Sequence, residues 1–241
     1  MKQNIINIKN LTVKFGDFTV LDNIDLSIPK NAITVILGES GCGKSTLLKS
    51  IIGLQPIHEG EIRIFDKDIH DENFSKELEK LGMVFQNGAL LNSVSVYENI
   101  KIPLRQHTDL PDEIIDKVIK AKLHQVNLSH AMNYLPSELS GGMKKRAAFA
   151  RAIALDPQLL FCDEPSAGLD PNTRYALDNL LLELQNQLKM TMLLVTHEIS
   201  TVRRIADKLI FLHQGRIIFK GSFESAQESD NKLIKNFFSK A

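Results

Sequence analysis

Gly38-Glu39-Ser40-Gly41-Cys42-Gly43-Lys44-Ser45-Thr46 meets the phosphate-binding pattern G-x-x-x-x-G-K-[ST] at every fixed position. Ahead of it, Ile33-Thr34-Val35-Ile36-Leu37 is β-branched and apolar, as a strand buried on both faces requires. Behind it, Leu47-Leu48-Lys49-Ser50-Ile51-Ile52 can run on as a helix that stops near Gly53. The order strand, glycine loop, helix gives the pattern a structural meaning. Glycines let the backbone curl so that successive N–H groups face phosphate oxygens. The positive end of the following helix adds to that field. Gly38, Ser40, Gly41, Cys42, Gly43 and Thr46 form the cradle, Lys44 reaches the β- and γ-phosphates, and the Ser45 hydroxyl is placed to ligand Mg²⁺. The stretch predicts a nucleoside triphosphate site.

Upstream, Ile6, Ile8 and Leu11 to Phe15 read as one strand and Val20 to Ile28 as its antiparallel partner, with Gly16-Asp17 turning between them. Phe15 ends the first strand, and its residue type leaves two readings: a ring stacked on adenine, or an ordinary core aromatic. Downstream, Glu61 to Asp68 reads as a short strand and turn, and Met83-Val84-Phe85 as another strand that ends at Gln86. From Ser95 to Leu128 the period becomes helical, interrupted by Pro103 and Pro111, with Ile114, Ile115, Val118, Ile119, Leu123 and Val126 keeping one face apolar along Pro111 to Leu128. Further helices are expected over 144–155, 172–188, 200–206 and 230–240, and strands over 159–162, 191–196, 208–212 and 216–220. This alternation predicts an α/β fold with a mostly parallel sheet covered on both faces. The helical block falls between two site motifs, so it is expected to form a lobe of its own.

Three more stretches carry chemistry. Leu159-Leu160-Phe161-Cys162 runs into Asp163-Glu164, which puts two carboxylates at the carboxyl end of a strand, the edge that also carries the phosphate loop in a parallel sheet. Asp163 is then placed to hold Mg²⁺ and Glu164 to act as general base on the water attacking the γ-phosphate. His197 follows Leu193-Leu194-Val195-Thr196 and can touch the γ-phosphate, while Gln86 can contact Mg²⁺ or the attacking water. Ser140-Gly141-Gly142-Met143 opens a helix with a hydroxyl and two glycines, a second phosphate-binding surface. Two such surfaces in different lobes suggest a head-to-tail dimer, each triphosphate held between one subunit's loop and the other's Ser-Gly-Gly.

Composition narrows the classes. A chain of 241 residues can bury one sizeable core with a lobe inserted in it. Lys plus Arg and Asp plus Glu both number 29, a balance that argues against a nucleic-acid partner. No apolar run approaches the roughly 18 residues of a membrane span. The stretch Met1-Lys2-Gln3-Asn4-Ile5-Ile6-Asn7 lacks the apolar core of a signal peptide. The two cysteines, Cys42 and Cys162, read as neither disulfide nor zinc ligands, which suits a reducing, cytoplasmic compartment. Modification of Cys42, inside the loop, is expected to block phosphate binding.

The phosphate loop, Gln86, Leu139-Ser140-Gly141-Gly142, Asp163-Glu164, Ser166-Ala167-Gly168-Leu169-Asp170 and His197 occur in the order of ABC transporter ATPases, and the whole chain resembles that family. The resemblance implies a P-loop ATPase core with an antiparallel β subdomain and an inserted helical subdomain at about 87–156, all one domain over 1–241. It also implies ATP and Mg²⁺ as ligands, and an ATP-sandwich homodimer bound to an integral membrane permease at the cytoplasmic face of the inner membrane. Phe15 matches the family's adenine-stacking aromatic, more often Tyr, and Asp170 matches the loop that crosses the dimer interface. Met143 stands where many relatives have Gln. Gln86-Asn87-Gly88-Ala89-Leu90-Leu91 with Val96-Tyr97-Glu98-Asn99-Ile100, and Pro136 to Ala148, resemble the ATPase subunits of Mla/Mce-type phospholipid transporters. That likeness implies phospholipid transport across a Gram-negative envelope, with a periplasmic Mce-type substrate-binding protein and a small accessory subunit. Ser-Gly-Gly-Met also resembles importers of osmoprotectants, amino acids and peptides, and a soluble non-transport ABC ATPase is a further alternative.

Overall fold

The computed structural model describes residues 3–239. They fall into two compact units, one made of residues up to Glu77 together with those from Thr191 onward, the other of Leu78 to Met190.

In the first unit, β1 (Asn4–Phe15) and β2 (Phe18–Pro29) form a long antiparallel hairpin. Its two-residue turn places Gly16 at φ 58, the arrangement a type II′ turn needs at its first central position. β4 (Glu59–Ile64) pairs with the other edge of β1 and β5 (Lys67–Asp68) follows it, giving the order β2-β1-β4-β5. Ile6, Ile8, Leu11 and Val13 from β1 pack in the core with Leu21, Ile24, Leu26 and Ile28 from β2. β3 (Ile33–Leu37) lies parallel between β8 (Thr191–Val195) and β9 (Lys208–His213), and β10 (Arg216–Gly221) pairs antiparallel with β9. Every residue of β3 and β8 is buried, which is why those runs carry no alternation in the sequence. The helices of this unit are α1 (Lys44–Ile51), α6 (Ile199–Ile205), α7 (Phe223–Gln227) and α8 (Lys232–Ser239). Edge-to-face contacts dock α8: Phe237 on Phe211 at 4.8 Å between ring centres and Phe238 on Phe223 at 5.3 Å. Lys240, the expected end of that helix, lies outside the described residues.

In the second unit, β6 (Leu81–Val84) and β7 (Leu159–Asp163) pair in parallel, alongside α2 (Val96–His107), α3 (Asp112–Gln125), α4 (Gly141–Ala152) and α5 (Pro171–Leu188). The interruption expected at Pro103 does not occur, because α2 runs through it to His107. A proline inside a helix removes one backbone hydrogen bond. Here Ile100 and Leu104 on either side of it are buried, and their packing holds the helix. The true break is 108–111, and its last residue, Pro111, caps the start of α3. A 3₁₀ stretch over Glu72–Lys80 and the five-residue α7 lie outside the elements expected from the sequence.

Candidate nucleotide-binding site

In the first unit the loop leaves β3 at Leu37 and hands over to α1 at Lys44. Gly43 precedes α1 with φ 105, and a Cβ there would lie 2.8 Å from Leu21 Cδ2, so only glycine fits. Gly38 passes so close to β9 that its Cβ would meet the Leu212 carbonyl oxygen at 2.2 Å. Lys44 is 7% exposed, and its ammonium donates to the Gly38 and Glu39 carbonyls, each at 2.9 Å. The lysine is therefore folded over its own loop, which fixes where its charge sits. The N–H groups of Lys44, Ser45 and Thr46 fall in the first turn of α1, where no helical carbonyl can accept them. An ammonium, first-turn N–H groups and two hydroxyls together form a donor set for a chain of anionic phosphates.

Cys42 belongs to this loop but is buried, and burial pushes its thiol above the usual range. The neutral, shielded thiol is a packed residue and a poor nucleophile, so it offers less of a handle for modification than its position in the loop suggests. Phe15 is 51% exposed at the end of β1, which removes the core reading. His197, just beyond β8, is exposed, with Nε2 3.8 Å from Glu198 Oε1. His197 and Glu39 of the loop line one cavity of ≈ 630 Å³.

In the second unit, Asp163 ends β7 and Glu164 follows it, both buried. Glu164 takes φ 47, a left-handed conformation uncommon for a side chain of its size and a form of strain that clusters at functional sites. Lys145 of α4 donates to the Gln86 backbone carbonyl and lies within electrostatic reach of Glu164. Burial pulls the Lys145 ammonium below the ordinary lysine range, with Glu164 acting against that shift. The loop after β6 is strapped further. Arg151 donates to the Gly88 and Ala89 carbonyls at 2.9 and 2.7 Å. Buried Asn99 donates to the Leu91 carbonyl at 3.1 Å and accepts from the Leu91 N–H at 2.8 Å. The structure thus brings Gln86 and Glu164 to one lysine. Nothing in the basic run Lys144-Lys145-Arg146 signals that role, since a charged run on a helix usually faces water.

Ser140 caps α4, its Oγ accepting from the Met143 N–H at 3.3 Å. Gly141 and Gly142 form the first turn and pack toward the start of α5, where an added Cβ would meet Leu169 Cδ2 at 3.7 Å and Thr173 Cγ2 at 2.7 Å, respectively. Asp170 caps α5 by accepting from the Asn172 and Thr173 N–H groups, and hydrogen bonds from the Thr173 side chain and then its backbone hold the Asp170 carboxyl below the usual range. Ser140, Gly141, Gly142 and Asp170 therefore sit at two helix N-termini brought side by side. Among the described residues no group of three His, Cys, Asp or Glu side chains is arranged to hold a metal ion. Ser45 in the first unit and Asp163 in the second each carry an oxygen donor of the kind Mg²⁺ takes.

The model of the family described as ABC transporter matches residues 21–167, and the chain belongs to that family. Its fold is that of the ATP-binding cassette. The intermembrane phospholipid transport system ATP-binding protein MlaF of Haemophilus influenzae is 40% identical over 240 residues, covering 98% of this chain and 91% of that protein. The probable ribonucleotide transport ATP-binding protein mkl of Mycobacterium leprae is 39% identical over 236 residues, covering 96% of this chain and 68% of that one. Among solved structures, a dimeric ATP-binding cassette in a post-hydrolysis state with ADP and Pi is similar at TM-score 0.81 and 30% identity, covering 90% of this chain and 98% of that one. Among the described residues no helix is long and apolar enough to cross a membrane.

Proposed function

We propose that this chain is the ATP-hydrolysing subunit of an ABC transporter that moves phospholipid between the membranes of a Gram-negative envelope. The observation that carries the substrate class is the near full-length likeness to MlaF, 98% of this chain against 91% of that protein. The likeness to mkl reaches only 68% of its length. In this reading the subunit works as an ATP-sandwich homodimer under a permease at the cytoplasmic face of the inner membrane, with a periplasmic Mce-type substrate-binding protein and a small accessory subunit.

Each residue takes the role its local chemistry supports. The loop from Gly38 to Thr46 holds the phosphates, and Lys44 neutralises charge on the β- and γ-oxygens. Ser45, Asp163 and Gln86 would hold Mg²⁺, which supplies charge neutralisation to the phosphates when bound. Glu164 takes a proton from the attacking water, and His197 orients that water. The new bond runs from water oxygen to γ-phosphorus as the bond to the β–γ bridging oxygen breaks, giving ADP and phosphate. Ser140, Gly141, Gly142, Met143 and Asp170 of a second subunit close over the triphosphate, and Phe15 stacks on adenine. The buried, left-handed Glu164 beside Lys145 is the structural support for the base assignment.

Two measurements test the reading. Glu164→Gln is expected to keep ATP binding and lower hydrolysis by about 10²–10⁴-fold; unchanged phosphate release would remove Glu164 as the base. Purification of the chain with its membrane partners should recover a permease, an Mce-type protein and bound phospholipid. Recovery of a solute-binding protein for a ribonucleotide or another small solute would replace the lipid reading and leave the ATPase in place.

A further inference from the structure

The hairpin that carries Phe15 also carries a second aromatic, to which the family pattern does not point. Phe18 begins β2 and is the direct cross-strand partner of Phe15 across the Gly16-Asp17 turn. Residues paired in this way put their side chains on one face of the hairpin. Phe18 is 71% exposed, more than any other large hydrophobic side chain among the described residues, and Phe15 across from it is half exposed. Scattered single apolar residues at a surface need no explanation, but two phenyl rings presented together at one tip expose a flat apolar wall.

That wall adjoins the phosphate loop. A cavity of ≈ 450 Å³ is lined by Phe18, Val20, Ser40, Gly41, His213 and Gln214, among others. Phe18 and Val20 line it together although the β1–β2 register shifts between Thr19 and Leu21. The rim is tied together by backbone bonds: the Gly215 N–H donates to the Cys42 carbonyl at 3.1 Å, and the Asp22 N–H to the Gly215 carbonyl at 2.9 Å. A Cβ on Gly215 would meet the Val20 carbonyl oxygen at 2.4 Å, so the turn lies tight against β2. Phe15 is not among the residues lining this cavity.

We infer that Phe18 binds the purine base of the nucleotide whose phosphates the Gly38–Thr46 loop holds, as a second aromatic wall beside Phe15. The inference rests on the ATP-binding reading above and adds a residue to it. A phosphate chain anchored on Ser40 and Gly41 leaves the rest of the nucleotide a cavity edged by one exposed ring. That cavity is within the size range of small-ligand pockets, and a purine offers the flat face a phenyl ring prefers.

The test separates base from phosphates. Affinity is measured by titration for ATP and for inorganic tripolyphosphate, with wild type, Phe18→Ala, Phe18→Leu and Phe18→Tyr, and thermal unfolding of each variant without ligand checks its fold. Expected is a loss of about tenfold in ATP affinity for Phe18→Ala, the scale of an aromatic contact, with tripolyphosphate unchanged. Phe18→Leu should lose most of the same amount and Phe18→Tyr should keep wild-type affinity. ATP binding unaltered in Phe18→Ala overturns the inference. So does an equal loss for ATP and tripolyphosphate, which would mean that Phe18 shapes the loop. A wild-type chain that binds tripolyphosphate no worse than ATP removes any base site, whereas failure of both ligands sinks the ATP-binding reading itself.

Discussion

Lys145 carries a charge to a place where two chain segments need one: it bonds the Gln86 carbonyl and faces the Glu164 carboxylate. Its partners lie 59 and 19 residues away in sequence, so no local pattern could reveal it. The opposite holds for Lys44, whose two carbonyl partners belong to its own loop and whose role follows from spacing alone. Glu164 was legible because an apolar run ending in Asp-Glu is a local signal, but its left-handed backbone was not. Phe15 and Phe18 show the same limit. Sequence places Phe15 ahead of the loop, while the ring that borders the cavity is two turn residues further on. From this arrangement Lys145→Met is expected to reduce ATP hydrolysis by about 10-fold or more through loss of a buried charged hydrogen bond, with ATP affinity within about twofold of wild type. Phosphate release and nucleotide titration on the same sample check it. An affinity loss equal to the rate loss would mean that Lys145 serves binding rather than the position of Glu164 and Gln86.

Elements are legible in the sequence where burial makes a periodic or continuous apolar signal. β3, β7 and β8 are buried at every position, and each appears in the sequence as a mostly apolar run whose one polar residue is Thr34, Asp163 or Thr191. The segment Glu72–Lys80 buries only Phe74 and Glu77 among its nine residues, too few to mark it as an element of the core. α7 spans five residues, too few for a helical period to show. Pro103 misled for a different reason, since local cost was outweighed by tertiary packing. β6 illustrates how tightly an element can be held without any motif. A Cβ on Gly82 would lie 2.5 Å from the Ala152 carbonyl oxygen, 2.9 Å from Leu160 Cδ1 and 3.0 Å from Pro157 Cγ. A backbone carbonyl at the end of α4 cannot yield as a flexible side chain would. Gly82→Ala is therefore expected to destabilise the protein by about 1–3 kcal/mol, the range for overpacking a filled site. Urea unfolding should show a lower midpoint with the same slope. A midpoint unchanged from wild type would mean that β6 and α4 part with little cost.

At the scale of the whole molecule, the chain crosses between its two units at 77–78 and 190–191, and no Gly-, Pro- or Ser-rich linker marks either crossing. Composition therefore carries no trace of the division, while the site residues sort cleanly across it: the phosphate loop and His197 in one unit, Gln86, Ser140 to Met143, Asp163, Glu164 and Asp170 in the other. What a second copy of the chain adds is testable through Gly141. It stands in the first turn of α4, exposed, and a Cβ there meets only Leu169 Cδ2 at the ordinary contact distance of 3.7 Å. An aspartate fits that site within one chain, and at a helix N-terminus its charge is favourable for the helix itself. Toward a partner's triphosphate the same charge is repulsive, because the first-turn N–H groups that would attract phosphate now face a carboxylate. With ATP and Mg²⁺, Glu164→Gln is expected to double its mass from 27.1 kDa, as a dimer whose nucleotide is not hydrolysed. The double variant Glu164→Gln, Gly141→Asp should bind ATP with the affinity of the single variant and stay at the monomer mass. Light scattering after size exclusion reads the mass, and equilibrium titration reads the affinity. If the double variant dimerises as the single one does, the N-terminus of α4 does not meet a partner's nucleotide; if it loses ATP affinity as a monomer, that surface serves the chain's own site.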